Sequence, residues 1–251
     1  MKILIGIATY QRTGKLQRCL DSIKASNYWN YEIVVVADNS DQATDQYLSA
    51  NKNLFWDVVV QDRQGFVIGG WNRIVKDYFN DMIKEWESET TFVEEPFDAF
   101  LGLVDDVELS EDTLEKAVQA HRFHFPDGDG VVGLHQTCPG HPEYTFKWYG
   151  QTLMGRKFIE RYREVDYQIC CPYYKWSHQD EEMFQYANSL GKFKECPEAS
   201  LRHYHPSFIA GERDSTHDIV RFGSDSPKLH DLQVFADRQK RGLIWGKDWE
   251  A

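Results

Sequence analysis

The chain has 251 residues, 41% of them hydrophobic, enough to bury a substantial core in one α/β domain or two small ones. Forty acidic against 28 basic side chains leave a formal charge of −12 at pH 7. That balance argues against nonspecific nucleic-acid binding and against an anionic membrane surface, both of which need clustered Lys and Arg, although it leaves room for a local basic cleft. The first eight residues carry one Lys and an apolar stretch too short for a signal-peptide core or a membrane span. The five cysteines are scattered, odd in number and form no CxxC pair, so a reduced, cytoplasmic compartment is expected.

Residues 2–8 form a short β-branched run that reads as a buried strand. A polar loop follows, and then Leu16, Cys19, Leu20 and Ile23 recur at helical spacing. Residues 32–37 make a second buried strand that stops at Asp38-Asn39-Ser40-Asp41. This β-α-β order implies parallel strands with a right-handed crossover. A short helix is expected over 45–50 and a third strand over 56–60. Helical spacing resumes with Ile68, Trp71, Ile74, Val75, Tyr78 and Phe79. Residues 87–95 read as an acidic surface loop, and 97–104 as a fourth buried strand ending in Asp105-Asp106. Ser110 is expected to cap a helix with Leu114, Ala117, Val118 and His121 on its buried face. Residues 130–134 suggest a fifth strand, 144–149 an antiparallel one, and Ser177 opens a helix burying Met183, Phe184, Ala187 and Leu190 and stopping at Gly191. A last helix is expected near 229–240. No linker interrupts the pattern, so one domain with two lobes is predicted, with boundaries near 108 and 215.

In open parallel sheets ligands bind beyond the carboxyl ends of the strands. Three expected strands end in polar or acidic loops there, at Thr9-Tyr10, at Asp38-Asn39-Ser40-Asp41 and at Asp105-Asp106. Two adjacent carboxylates repel unless a cation or hydrogen-bond donors intervene. They therefore either hold Mg²⁺ or Mn²⁺, which favour oxygen ligands shared with phosphates, or simply solvate a loop. No GxxxxGK(S/T) or GxGxxG loop is present to cradle phosphate, which gives a metal more to do. Ser177-His178-Gln179-Asp180-Glu181-Glu182 fits a helix cap, with Asp180 closing a capping box, and equally a general base facing a cleft. His203 and His205 would share one face if they lie on a strand, as metal or phosphate ligands or as structural residues. The aromatic content of 14%, including Trp176, serves either core packing or sugar stacking.

In this order the segments resemble the second, inverting family of glycosyltransferases. Ile3-Leu4-Ile5-Gly6-Ile7-Ala8-Thr9-Tyr10-Gln11-Arg12 is similar to that family's first strand and PTYNR loop. Glu32 through Asp41 resembles its EIIVVDNxSxD segment, and Gln64-Gly65 through Asn72 its NxGxxxxxN helix start. Val104-Asp105-Asp106-Val107-Glu108-Leu109 stands where the DxD motif falls, with Val in the place of the first acid. His178-Gln179-Asp180-Glu181-Glu182 through Gly191 is similar to EDxDLxxRxxxxG, with Gln179 for the usual Glu. His203-Tyr204-His205 falls where the family often has a metal-side His.

The resemblance implies an α/β fold of GT-A type: a Rossmann-like mixed sheet with helices on both faces, in a single domain of two lobes. Residues 1–108 would bind the nucleotide sugar, 109–215 would carry the acceptor and catalytic side, and 216–251 would form a helical tail. It implies that Thr9, Tyr10, Arg12, Asp38, Asn39, Gly65 and Asp105 line the nucleotide and sugar pocket. Asp106 would hold Mn²⁺ or Mg²⁺, with His205, or else His203, completing the shell. Asp180 would be the general base, with Glu181 in contention. The implied partners are a nucleoside-diphosphate sugar and an acceptor hydroxyl on a glycan, lipid-linked sugar, protein or modified base. The alternatives are a nucleotidyltransferase, whose Gly-rich basic loop is partly matched by Tyr10-Gln11-Arg12-Thr13-Gly14-Lys15, and a non-catalytic nucleotide- or sugar-binding module.

Overall fold

The computed structural model describes residues 1–38, 41–61, 66–80, 97–141, 148–209, 212–221 and 226–249. The expected acidic loop at 87–95, most of the expected strand at 144–149, and the candidate site residues Asn39 and Gly65 lie outside these.

Alternation along the first strand sets the layers. In β1 (Ile3–Thr9), Ile3, Ile5 and Ile7 enter one hydrophobic cluster and Leu4 the other. The first cluster takes Leu16, Cys19, Leu20 and Ile23 of α1 (Thr13–Lys24). It also takes Leu114, Ala117 and Val118 of a later helix, so the periodicity read from the sequence marks the faces that are buried. The opposite cluster takes Ile68, Trp71, Ile74, Val75 and Phe79 of α3 (Phe66–Phe79). Helices therefore cover both faces of one sheet, and each aliphatic side chain fully buried this way contributes about 1.5–3 kcal/mol before entropy is counted.

Strand β2 (Tyr31–Asp38) leads through α2 (Gln42–Ala50) to β3 (Asp57–Gln61). Helix α2 starts earlier than expected because Asp41 accepts a hydrogen bond from the Thr44 amide at 2.9 Å and caps it. Next come β4 (Ala99–Val104), β5 (Val107–Leu109), α4 (Thr113–His124), β6 (Val131–Thr137), β7 (Thr152–Gly155) and the helical turn α5 (Arg156–Ile159). The chain continues with α6 (Gln179–Ser189), β8 (Phe193–His203), α7 (Ser215–Arg221) and α8 (Pro227–Arg241). The sheet order is β3-β2-β1-β4-β7-β6-β8-β5. Strands β3, β2, β1 and β4 are mutually parallel, β7 runs antiparallel to β4 and β6, and β8 is parallel to β6 and antiparallel to β5. This is the mixed GT-A sheet in a single domain. The expected break at 108 falls inside β5, which is paired with β8.

Several local expectations are corrected. Ser110 does not cap α4: its carbonyl accepts the Thr113 amide and its hydroxyl faces that of Ser200 at 3.2 Å, while the helix starts after Asp112 without a side-chain cap. Among the described residues β7, at 152–155, runs antiparallel to both of its neighbours. Strand β8 escaped the sequence reading because Lys, Glu and Arg alternate with few apolar residues and Pro197 interrupts it; its register against β6 shifts between Leu134 and His135. In α6, Leu190 is exposed, and Glu182 and Tyr186 join Met183 and Ala187 on the buried face.

Two glycines let α3 approach the sheet. Gly6 and Gly102 are register partners on β1 and β4. A Cβ at Gly102 would lie 2.9 Å from the Trp71 ring, and one at Gly6 would lie 2.6 Å from Phe100. Trp71 is further fixed by its indole N–H, which donates to the Leu103 carbonyl at 3.3 Å. Gly102→Ala should therefore destabilise the fold by about 1–3 kcal/mol through overpacking, read as a lowered thermal midpoint. An unchanged midpoint would mean that Trp71 shifts without cost.

Candidate active site

Strand register brings the acidic ends together. Thr9 of β1 is level with Ala37 of β2, and Ala8 with Val104 of β4, so Thr9, Asp38 and Asp105 finish on one rim. Asp105 and Asp106 form the two-residue turn between β4 and β5, and both are buried. Asp105 is held from β1 and the loop after it: the Thr9 hydroxyl donates to Oδ2 at 2.7 Å, and Arg12 Nη1 donates to Oδ1 at 2.9 Å. The same Nη1 is 3.7 Å from Asp106 Oδ2. Gln11, just before Arg12, is left-handed with φ of 50°. Asp214 braces Arg12 from behind, with Oδ2 2.8 Å from Nε and Oδ1 accepting from Nη2 at 3.1 Å, and it also pairs with Lys15 at 2.8 Å.

The two neighbouring acids are driven apart electrostatically. Burial raises the Asp105 pKa above the usual carboxylate value; the charge on Arg12 opposes this and that of Asp106 adds to it. Burial acts on Asp106 in the same sense, but His203, ion-paired and hydrogen-bonded to it, outweighs burial together with Arg12 and His205 and holds this carboxyl well below the usual range. Burial disfavours the Arg12 guanidinium, yet Asp105, Asp106 and Asp214 more than compensate and keep it charged.

Across the cleft, His203 Nε2 lies 3.3 Å from Asp106 Oδ1, and its Nδ1 is 3.0 Å from Gln136 Oε1. An amide oxygen only accepts, so Nδ1 carries a proton and Nε2 is the nitrogen turned to Asp106. His205 lies beyond the end of β8, and its Nδ1 accepts from the Ser207 amide at 3.1 Å. The alternation that would put both imidazoles on one strand face thus ends at His203.

A cleft of about 510 Å³ is lined by Arg12, Asp106, Gln136, Trp176, Asp180, His203 and His205. A recess of about 80 Å³ adjoins it and shares Arg12 and Trp176; Thr9, Tyr10, Asp38 and Asp105 line this smaller space. Asp38 accepts from Gln61 Nε2 at 2.8 Å. Asp180 sits in the first turn of α6, half-buried. Burial, then the charge of Glu181, pushes its pKa up to about 6, against smaller opposing effects from backbone N–H groups and His178. Glu181 is turned elsewhere, towards His178 Nδ1 at 2.5 Å and the Tyr149 hydroxyl at 3.3 Å.

The capping box expected at Ser177 is not formed. The residue before α6 is His178, left-handed at φ 67°, with no side-chain cap, while the Ser177 amide donates to Asp231. Sequence reasoning also missed Gln136, Asp214, Asp231 and Arg238; their signal exists only in the tertiary structure, since their partners lie tens to hundreds of residues away. Among the aromatics, Trp176 lines the cleft, whereas Tyr149 stacks on Phe184 at 4.6 Å and Tyr174 is buried against Glu182.

Among the described residues no group of three or more His, Cys, Asp and Glu side chains is disposed to hold a metal ion. The donors present are one ionised carboxylate, Asp106, and one imidazole nitrogen facing it. That set is too small for an all-protein cage, and it fits Mn²⁺ or Mg²⁺ held by one or two carboxylates together with a substrate's phosphates.

Sheet order and rim define the class: the architecture is that of the GT-A glycosyltransferases. Over residues 4–184 the sequence matches the profile described as Glycosyl transferase family 2, and the chain belongs to that family. S. aureus TarS superposes with a TM-score of 0.58 at 14% identity, covering 96% of this chain but 43% of its own. The 1–349 portion of TarS in complex with UDP-GlcNAc gives 0.60 at 13%, covering 97% and 74%. A mannosyltransferase from Pyrobaculum calidifontis in complex with GDP-Man and Mn²⁺ gives 0.60 at 15%, covering 97% and 65%. The chain thus spans less than half of full TarS and about two thirds of the mannosyltransferase. At these identities the likeness speaks for the fold. No curated protein matches the sequence. No described helix is long and apolar enough to cross a membrane.

Arg12→Met would leave two buried carboxylates without their shared cation, and should cost about 3–5 kcal/mol at neutral pH. Asp105 has a raised pKa in the folded state, so the native protein binds its proton more readily than the unfolded chain does, and protonation relieves the repulsion. The deficit should therefore shrink as the pH falls towards about 5 and grow as it rises. Urea unfolding at both pH values measures this, and an equal deficit at each would show that Arg12 acts by packing alone.

Proposed function

We propose that this protein transfers a sugar from a nucleoside-diphosphate sugar to an acceptor hydroxyl with inversion at the anomeric carbon. The observation that carries the reading is the shared cleft: a half-buried carboxyl with its pKa near 6, Asp180, and a carboxylate held ionised, Asp106, line the same cavity beside Arg12. Environments that push paired carboxyls apart in pKa divide their roles between base and charge-holder.

In this reading the nucleotide lies along the rim where the recess opens into the cleft, with Asp38 and Tyr10 towards the base and ribose and Thr9 and Asp105 at the inner wall. The diphosphate lies over Arg12 and Asp106. A divalent cation bound there with Asp106 and the phosphates, Mn²⁺ or Mg²⁺, would offset the charge that grows on the departing diphosphate. Asp180 accepts the proton of the acceptor hydroxyl. The acceptor oxygen forms its bond to the anomeric carbon as the bond from that carbon to the phosphate oxygen breaks, and the electron pair leaves with the nucleoside diphosphate. A base with its pKa near 6 is ionised at neutral pH and still basic enough to take the proton, help worth about 10²–10⁴-fold. His203, fixed by Gln136, presents Nε2 beside Asp106 and is the better placed of the two histidines to complete the metal side. Pairing with His178 and Tyr149 makes Glu181 a modulator of Asp180 rather than the base.

Asp180→Asn should keep donor affinity and lower kcat about 10²–10⁴-fold; parent-like turnover would remove Asp180 from the chemistry. In the parent enzyme kcat/KM should fall as the pH drops through about 6, because the base must be unprotonated. Excess EDTA should abolish release of nucleoside diphosphate from a panel of UDP- and GDP-sugars, with Mn²⁺ restoring it. Release of pyrophosphate from a nucleoside triphosphate and a sugar 1-phosphate instead would point to nucleotidyl transfer.

A further inference from the structure

We infer that helix α8, which lies beyond the residues matched to the family, positions the wall of the cleft that carries Asp180, through Asp231, Phe235 and Arg238. These residues are spaced i, i+4 and i+7, so they form one helical face. They meet the Asp180 segment in chain order. Asp231, fully buried, accepts the Lys175 amide at 2.8 Å on Oδ1, and the Trp176 and Ser177 amides at 2.7 and 2.8 Å on Oδ2. Phe235 stacks on the His178 ring at 4.5 Å and 9°. Arg238 makes a two-pronged pair with Glu182, Nε to Oε1 at 2.8 Å and Nη2 to Oε2 at 3.0 Å. Tyr174 and the Trp245 amide also donate to Glu182. Every residue from 175 to 182 that is gripped lies within five positions of Asp180.

Packing alone gives no reason for this polar seam. A buried ion pair is seldom better for stability than apolar side chains of the same volume, so what it adds is a fixed geometry. One carboxylate collecting three successive amides fixes the backbone path that delivers Trp176 and Ser177 to the cleft. It holds the loop ahead of α6, not the helix's own first-turn amides, from 54 to 56 residues away in sequence. The fork on Glu182 then fixes the rotation of the first turn of α6, and with it the direction in which Asp180 points.

The inference rests on Asp180 being the base. Its test uses the full chain carrying Asp231→Asn, which replaces an acceptor oxygen with a donor facing the amides, and separately Arg238→Lys, which keeps the charge but loses the fork. The readouts are affinity for UDP and GDP in the presence of Mn²⁺ by calorimetry, nucleoside diphosphate release from UDP-GlcNAc or GDP-mannose, and amide hydrogen exchange. Nucleotide affinity should stay within about twofold while kcat falls about 10- to 100-fold, as for a misplaced catalytic group. Exchange should quicken at 175–177 in the Asp231 variant, with β1, β2 and β4 still protected. Parent-like kcat despite loosened amides would overturn the inference. So would a fall in kcat matched by lost nucleotide binding and by lost protection in the central strands, which marks a merely structural role. If Asp231→Asn does not fold, Arg238→Lys decides by the same split between kcat and affinity. A parent protein that neither binds nor turns over any donor sinks the functional reading and this inference with it.

Discussion

Two adjacent carboxyls, nearly removed from water at the end of a buried strand, are the constraint on which the site depends. Asp105 and Asp106 cannot both be ionised in that position unless positive charge lies between or beside them. The protein supplies it through Arg12, from the loop after β1, which touches both acids, while His203, the last residue of β8, faces Asp106 alone. The asymmetry follows from that arrangement. Asp106, beside both Arg12 and His203, stays ionised, while Asp105, hydrogen-bonded by Thr9 and Arg12 but the more buried of the two, is pushed towards its neutral form. An ionised acid at the cleft wall suits a cation; a partly neutral one against the recess suits hydrogen bonding.

The same constraint orders the rest of the molecule. Arg12 can lie between the acids only because β1 and β4 are register partners, so the loop after one strand lies over the turn after the other. That pairing needs α3 packed close beneath it, and the glycine pair Gly6 and Gly102 makes the close packing possible. His203 reaches Asp106 because β8 crosses to the far side of β6 and pairs with β5, directly after the acidic turn. The second half of the sheet, irregular in sequence, is thus what brings an imidazole to a carboxylate from the first half.

Much of the rim was legible in the sequence because buried parallel strands advertise themselves as unbroken apolar runs, and the acids stand out against them. Asp38, Asp105 and Asp106 were found that way, as was Thr9. What failed were inferences from local motifs where distant partners decide. Ser177 has the sequence of a helix cap, yet its amide is satisfied by Asp231 from α8, and α6 begins after a left-handed His178 instead. His203 and His205, by contrast, both line the cleft with their rings 5.2 Å apart, although β8 ends between them. The strand itself was hidden by Pro197 and by charged residues that face solvent at an outer part of the sheet. Glu182 stands in the acidic run that opens α6, but burial against Arg238 gives it another task, and nothing within a helical turn of it in sequence signals that partner.

Asp180 and Asp106 are shifted in opposite directions in proton affinity although both face one cavity, and the cause lies in what each is allowed to touch. Asp106 lies against Arg12 and His203. Asp180 has no partner of comparable weight: the fixed charges nearest it are those of its own helical turn, and of these Glu181 repels while His178 is itself engaged with Glu181. A carboxyl in this position keeps its proton affinity only as long as water and stray cations are held off, which makes the wall behind it part of the chemistry. That wall is built by α8 and the loop before α6, outside or at the edge of the 4–184 span that identifies the family. Arg12, Asp106 and Asp180 therefore come from the span matched to the family, whereas His203 and the helix that closes the wall behind Asp180 come from beyond it.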